Sequence, residues 1–215
     1  MFEQLLSPHV GDWYRKMESG LAASKARNFN KALTMFEQCI NIAIQHCMSN
    51  QAVLQSYVLY ANSLRVGGQG AQSEKILRIA IKYSTKNRMQ NSAMHMYLLC
   101  ELGQLFFYRT DFEKCCPVLE KCIDHLNRKK FKTSREALVL FVALTLSYLN
   151  LEEWEKAKRI GRTAYDECCK RFGPGNEHTL YAKKLYDQAV LKSSPEGSDV
   201  HLIVDKMLPL SIFNP

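Results

Sequence analysis

Glycine and proline are scarce, ten and six in 215 residues. β-Branched residues nowhere alternate with polar ones over a long stretch, so a fold built from sheets is excluded. No apolar run reaches the ~18 residues that a bilayer span needs. The opening MFEQLLSPHVGDW carries an acid early and has no basic flank before an apolar stretch, so no secretory leader is expected. These absences point to an intracellular chain. A cytoplasmic location is expected, with the nucleus and the cytoskeleton or cilium as alternatives.

Chemistry is equally thin. There are eight cysteines but no C-x-x-C, and disulfide frameworks belong to short secreted chains that lack a core. Two pairs are adjacent, Cys115–Cys116 and Cys168–Cys169. Neighbours on a helix point about 100° apart, so neither pair can hold one ion, and no metal or other cofactor is expected. His46 next to Cys47 diverges in the same way, and His95, His125 and His178 are dispersed. The glycines of VGGQG, Val66 to Gly70, fall in a turn between helices with no strand before it, which is no nucleotide loop. Paired carboxylates are missing too. The chain is not expected to be an enzyme.

What is present is helical periodicity over a composition that is 47% hydrophobic and 23% charged, enough to bury a core. The pattern predicts helices near 12–27, 30–47, 52–66, 71–85, 90–108, 112–128, 134–150, 152–171 and 177–193. Asn30 and Asp111 stand where N-caps belong. The helices come in similar pairs. Ser19 to Ile40, Tyr60 to Ile81, Glu101 to Ile123 and Leu144 to Tyr165 each carry a slender residue early (Gly20, Ala61, Gly103, Thr145). The following helix has small residues seven apart: Ala32 and Cys39, Ser73 and Ala80, Cys115 and Cys122, Ala157 and Ala164. Two antiparallel helices approach closely only where side chains are small. Cys115 and Cys122 therefore read as small hydrophobes, with Cys116 on another face and partly exposed.

This pattern resembles the tetratricopeptide repeat over residues 12–193. Its steps of 41, 42 and 42 residues exceed the usual ~34, which is similar to the long-helix variety of kinesin light chains and spindle-orientation adaptors. The resemblance implies an all-α, right-handed superhelix of about four helix pairs (repeats near 13–53, 54–95, 96–137 and 138–179) in one domain, 1–193. A capping helix, 177–193, closes it, and residues 194–215 form a linker and an apolar tail.

The resemblance also implies a concave groove lined by the first helix of each pair. The matching positions are Tyr14, Met17, Leu21 and Ser24, then Gln55, Val58, Asn62 and Arg65. Tyr97, Cys100, Gln104 and Phe107 follow in the third pair, and Val139, Val142, Leu146 and Leu149 in the fourth. Apolar pockets and a polar middle suit a peptide or helix of a partner protein, so the function implied is a scaffold or adaptor within a larger complex. Met17 and Leu21 stand where chaperone-binding members of the family carry a lysine and an asparagine, which argues against that role.

The net charge is +8, divided as +4 over residues 1–124, +6 over 125–192 and −2 over 193–215. Arg128, Lys129, Lys130, Lys132 and Arg135 form the densest run, within RKKFKTSR. A solvated loop or a site for an acidic partner explains the run. An RNA-binding role is the alternative, although only Phe131 could stack on a base. The apolar segment 200–213 needs cover, from this molecule or from a partner.

Overall fold

The turns between helices carry the register of the fold. The computed structural model describes residues 7–128 and 135–192. Along them run nine α-helices: α1 (Pro8–Lys25), α2 (Phe29–Gln45), α3 (Asn50–Val66), α4 (Gly70–Lys86), α5 (Ala93–Tyr108), α6 (Phe112–Arg128), α7 (Arg135–Asn150), α8 (Trp154–Phe172) and α9 (Glu177–Leu191). Arg27, Gly68, Thr110 and Glu152, which close α1, α3, α5 and α7, all have φ between 55° and 79°. Their separations are 41, 42 and 42 residues, the same intervals as the small-residue positions. In each turn the residue after the left-handed one donates its N–H to the carbonyl five residues back: Asn28 to Ala23, Gln69 to Leu64, Asp111 to Phe106 and Glu153 to Tyr148, at 2.8–2.9 Å. This satisfies carbonyls that a helix end leaves open and folds the next helix back on the last.

The starts of the helices follow local chemistry. Asn28, Ser49 and Asn176 cap α2, α3 and α9, each accepting a backbone N–H from two or three residues on. Asn28, not Asn30, holds the cap of α2, because the αL turn at Arg27 leaves room for only one residue before the helix. Asp111 does cap α6. It accepts the backbone N–H of Lys114 and also the Lys114 ammonium, which together hold its carboxyl below the usual range.

The described residues divide into two compact units, one ending at Leu105 and the other starting at Phe106. In the first unit α1 packs on α2, α2 on α3 and α3 on α4. Trp13, Cys39, Ala43, Ala52 and Val53 form one buried cluster, and Ala23, Ala32 and Phe36 another. The Trp13 indole donates to Ser56 Oγ at 2.9 Å. Gly20 lies against the Phe36 ring so closely that a Cβ there would stand 2.6 Å from it. Ser73 fills its small-residue position by donating its hydroxyl to the Ala61 carbonyl on the facing helix, at 2.8 Å.

In the second unit α7 packs on α6, α8 and α9, and α8 on α9. Cys115, Cys122, Ala157, Ala164 and Cys168 are fully buried there. Ser147 Oγ donates to Cys115 Sγ at 3.7 Å, and Tyr148 donates its hydroxyl to Glu120 on α6. Gly161 admits Thr145 and the Tyr186 backbone, both within 3.3 Å of where a Cβ would sit. Cys116 is buried as well, contrary to expectation, with Glu153 and Lys156 at the start of α8 near its thiol. Burial pushes the thiols of Cys39, Cys115 and Cys116 up to about 12 and that of Cys168 to about 11. At neutral pH they are therefore uncharged fillers of space.

Candidate functional site

The first unit brings one helix from each of its pairs to a common face. On α1, Tyr14, Met17 and Leu21 recur at helical spacing. Tyr14 is 46% exposed and Leu21 37%, while Met17 is half-buried. On α3, Gln55 reaches across to α1, its Nε2 lying 3.7 Å from Met17 Sδ. Val58 is buried, and Asn62 and Arg65 are half-buried. On α5, Tyr97 and Gln104 are buried and Cys100 is half-buried.

The polar residues of this face form one network. Arg65 Nη2 donates to Asn62 Oδ1 at 3.3 Å. Tyr97 hydrogen-bonds to Asn62 and to Glu101, and Asn62 also bonds Glu101. Arg65 Nε lies 4.0 Å from Glu101 Oε2, a loose ion pair. Glu101 is only 2% exposed, and its other oxygen, Oε1, has no hydrogen-bond partner among the described residues. Burial raises the pKa of this carboxyl, and Arg65, Tyr97 and Asn62 pull it back down without cancelling the rise. Burial, and then Glu101 itself, raise the pKa of the Tyr97 hydroxyl. The buried carboxylate accepts, and the Asn62 amide and Arg65 guanidinium it holds are the donors of this face.

Glu101 was not among the positions that the repeat pattern singles out, since it falls one residue past Cys100. A signal was there: it is the one formally charged residue in AMHMYLLCELGQLFFY, the sequence of α5. The remaining groove positions fall in the second unit. Phe107, Val139, Val142, Leu146 and Leu149 are all buried there. Arg128 and Arg135 are the last residue of α6 and the first of α7. Lys129, Lys130 and Lys132 of the basic run, and the segment 200–213, lie outside the described residues. Among the described residues, no group of three or more His, Cys, Asp or Glu side chains is placed to hold a metal ion. No helix among them is long and apolar enough to cross a membrane.

No family model matches the chain, and no curated protein does. Solved structures do. The Q17M structure of a putative kinesin light chain with nearly identical TPR-like repeats from Podosopora anserina superposes with a TM-score of 0.72 at 13% identity, over 87% of this chain and 89% of that one. A second structure of that protein gives 0.70 at 13% identity, over 83% and 85%. BtubC (BKLC) from P. vanneervenii gives 0.66 at 14% identity, over 80% and 76%. At such low identity the likeness concerns the fold. The chain folds as a TPR-like repeat, all-α with helices packed sequentially as hairpins, and its structural neighbours are kinesin-light-chain-like.

Proposed function

We propose that the chain is a non-enzymatic interaction scaffold, a subunit or adaptor that grips a peptide or helix of a partner protein on the α1–α3–α5 face of its first unit. The observation that carries this reading is the joining of two unlike surfaces. The exposed stripe of Tyr14 and Leu21 offers apolar contact. Beside it the half-buried Asn62 and Arg65, which Tyr97 and Glu101 hold from below, offer an amide and a guanidinium for a backbone. Most recognised peptides need both, apolar anchors for affinity and a few fixed polar groups for register. The TPR-like fold of the neighbours supports it.

Affinity capture on the full chain tests the proposal, read by quantitative mass spectrometry after nuclease treatment. Tyr14 and Leu21 are exposed, so Tyr14→Glu plus Leu21→Glu leaves the melting temperature nearly unchanged. Each lost anchor weakens partner capture by about tenfold, the effect of ~1.4 kcal/mol. Asn62→Ala lowers it further. Capture that is indifferent to all three substitutions, or that vanishes with nuclease, overturns the reading.

A further inference from the structure

Helix α4 packs on α3 and buries Ser73, Leu77, Ala80 and Ser84. Lys75, Arg78, Ile79, Lys82 and Lys86 all fall within about 60° of the opposite direction on the helix. All five are exposed, Ile79 to 49%. The surrounding sequence is as one-sided. From Gln38 to Cys100 there are six lysines and arginines and a single acid, Glu74. Glu74 stands about 80° from the middle of the stripe, and its carboxylate accepts from Arg78 Nε at 3.0 Å. Among the described residues no acid lies within ion-pair distance of Lys75, Lys82 or Lys86. These three charges are therefore uncompensated, where Lys114, Arg162, Lys170 and Lys183 each have an acid one turn away.

We infer that the outer side of α4 docks an acidic segment of a partner protein, an extended chain whose alternate side chains are acid, apolar, acid and acid. Alternate residues of an extended chain lie about 6.6 Å apart on one side. Along α4 the order Lys75, Ile79, Lys82, Lys86 runs in axial steps of about 6, 4.5 and 6 Å. The flexible lysine stems take up the difference. Their ammonium groups complement the carboxylates, and Ile79 supplies one apolar contact between them. Other anions are less well served. No aromatic ring of α4 is exposed on this side for a base to stack on, since Tyr83 is half-buried and bonded to Asn50. One isoleucine is no match for the broad apolar face with which a helix enters a bilayer surface. The α4 side is distinct from the α1–α3–α5 face, and the inference does not depend on that face's role.

Fluorescence anisotropy on the full chain tests it. The probe is a short fluorescein-labelled peptide of serines in which alternate positions are aspartate, leucine, aspartate and aspartate. Saturable binding is expected at an ionic strength of about 0.01–0.1 M, where the Debye length is about 10–30 Å. Lys75→Glu plus Lys82→Glu weakens it by about tenfold or more, and Ile79→Ser by about fivefold. All three side chains are exposed, so the melting temperature stays nearly unchanged. Lys129→Glu plus Lys130→Glu makes the same change in net charge and leaves the affinity within about threefold of wild type. Equal losses in the two double variants would mean that the peptide answers only to net charge, and overturn the inference. Indifference to Ile79→Ser, or no binding at low salt, overturns it too. So does displacement of the peptide by single-stranded RNA or phosphatidylserine vesicles at a lower concentration of phosphate than of peptide, which would make phosphate the ligand.

Discussion

Glu101 is an acid set into an otherwise uncharged helix, and burial governs its behaviour. Its carboxyl is raised above the ordinary value of 4.5, chiefly by loss of water. The folded chain therefore holds that proton more tightly than the unfolded chain does. A raised acid contributes stability below the unfolded value, and the contribution is lost as pH climbs through the folded one. Glu101→Gln removes that loss, so the variant melts a few degrees above wild type near pH 8, where ~1 kcal/mol moves a chain of this size by about 2–4 °C. The gap closes below pH 4.5. Thermal melts across this range check the outcome, and a wild type that is the more stable form near pH 8 contradicts it. Asn62, Arg65 and Tyr97 were legible in the sequence because the repeat assigns their positions. Glu101 was not, because its importance comes from side chains on α3 that only folding brings to it.

At the scale of elements, the small-residue pattern gave away the pairs, since close helix approach demands a missing side chain. Gly20 shows how literally. A Cβ at that position would sit 2.6 Å from the Phe36 ring, and a ring edge in a packed cluster cannot yield by so much without moving α2. Gly20→Ala is therefore destabilising by about 1–3 kcal/mol, seen as a lower denaturation midpoint. The turns were far less legible. Of the four left-handed residues that close α1, α3, α5 and α7, only Gly68 is glycine, and Arg27, Thr110 and Glu152 hold the same conformation with a Cβ. No residue type announces such a turn; two backbone hydrogen bonds impose it. Thr110 is the most strained of them, a β-branched residue at φ 55°. Among the described residues its hydroxyl bonds only to the adjacent Arg109 carbonyl. Thr110→Gly relieves ~1–2 kcal/mol of left-handed strain and gives back about half through the freer unfolded chain. A net gain of about 0.5–1 kcal/mol in chemical denaturation is the expected result. A loss would mean that the Thr110 side chain holds the turn.

For the whole molecule the question is what a net charge of +8 is for. Five of the cations on α6, α8 and α9 are matched by acids one turn away. Lys114 pairs with Asp111, Lys156 with Glu153, Arg162 with Asp166, Lys170 with Glu167 and Lys183 with Asp187, at 2.6–3.4 Å. Such exposed pairs add little stability, but they break up any continuous basic strip along α6, α8 and α9. The densest run of cations left for a nucleic acid is the short one around Lys129 and Lys130, with one aromatic, Phe131, to stack on. Tight binding requires many phosphate contacts or several stacking rings. A fluorescent single-stranded RNA should accordingly show no saturable binding tighter than about 1 μM at physiological salt, the nonspecific range. Whatever weak binding appears at low salt should vanish in the Lys129→Glu plus Lys130→Glu variant. Partner capture on the α1–α3–α5 face should persist in the same variant. Fluorescence anisotropy against salt, run beside the capture assay, decides the matter. A dissociation constant well under 1 μM for RNA, lost in that variant, would move the function of this chain from its helix faces to its basic run.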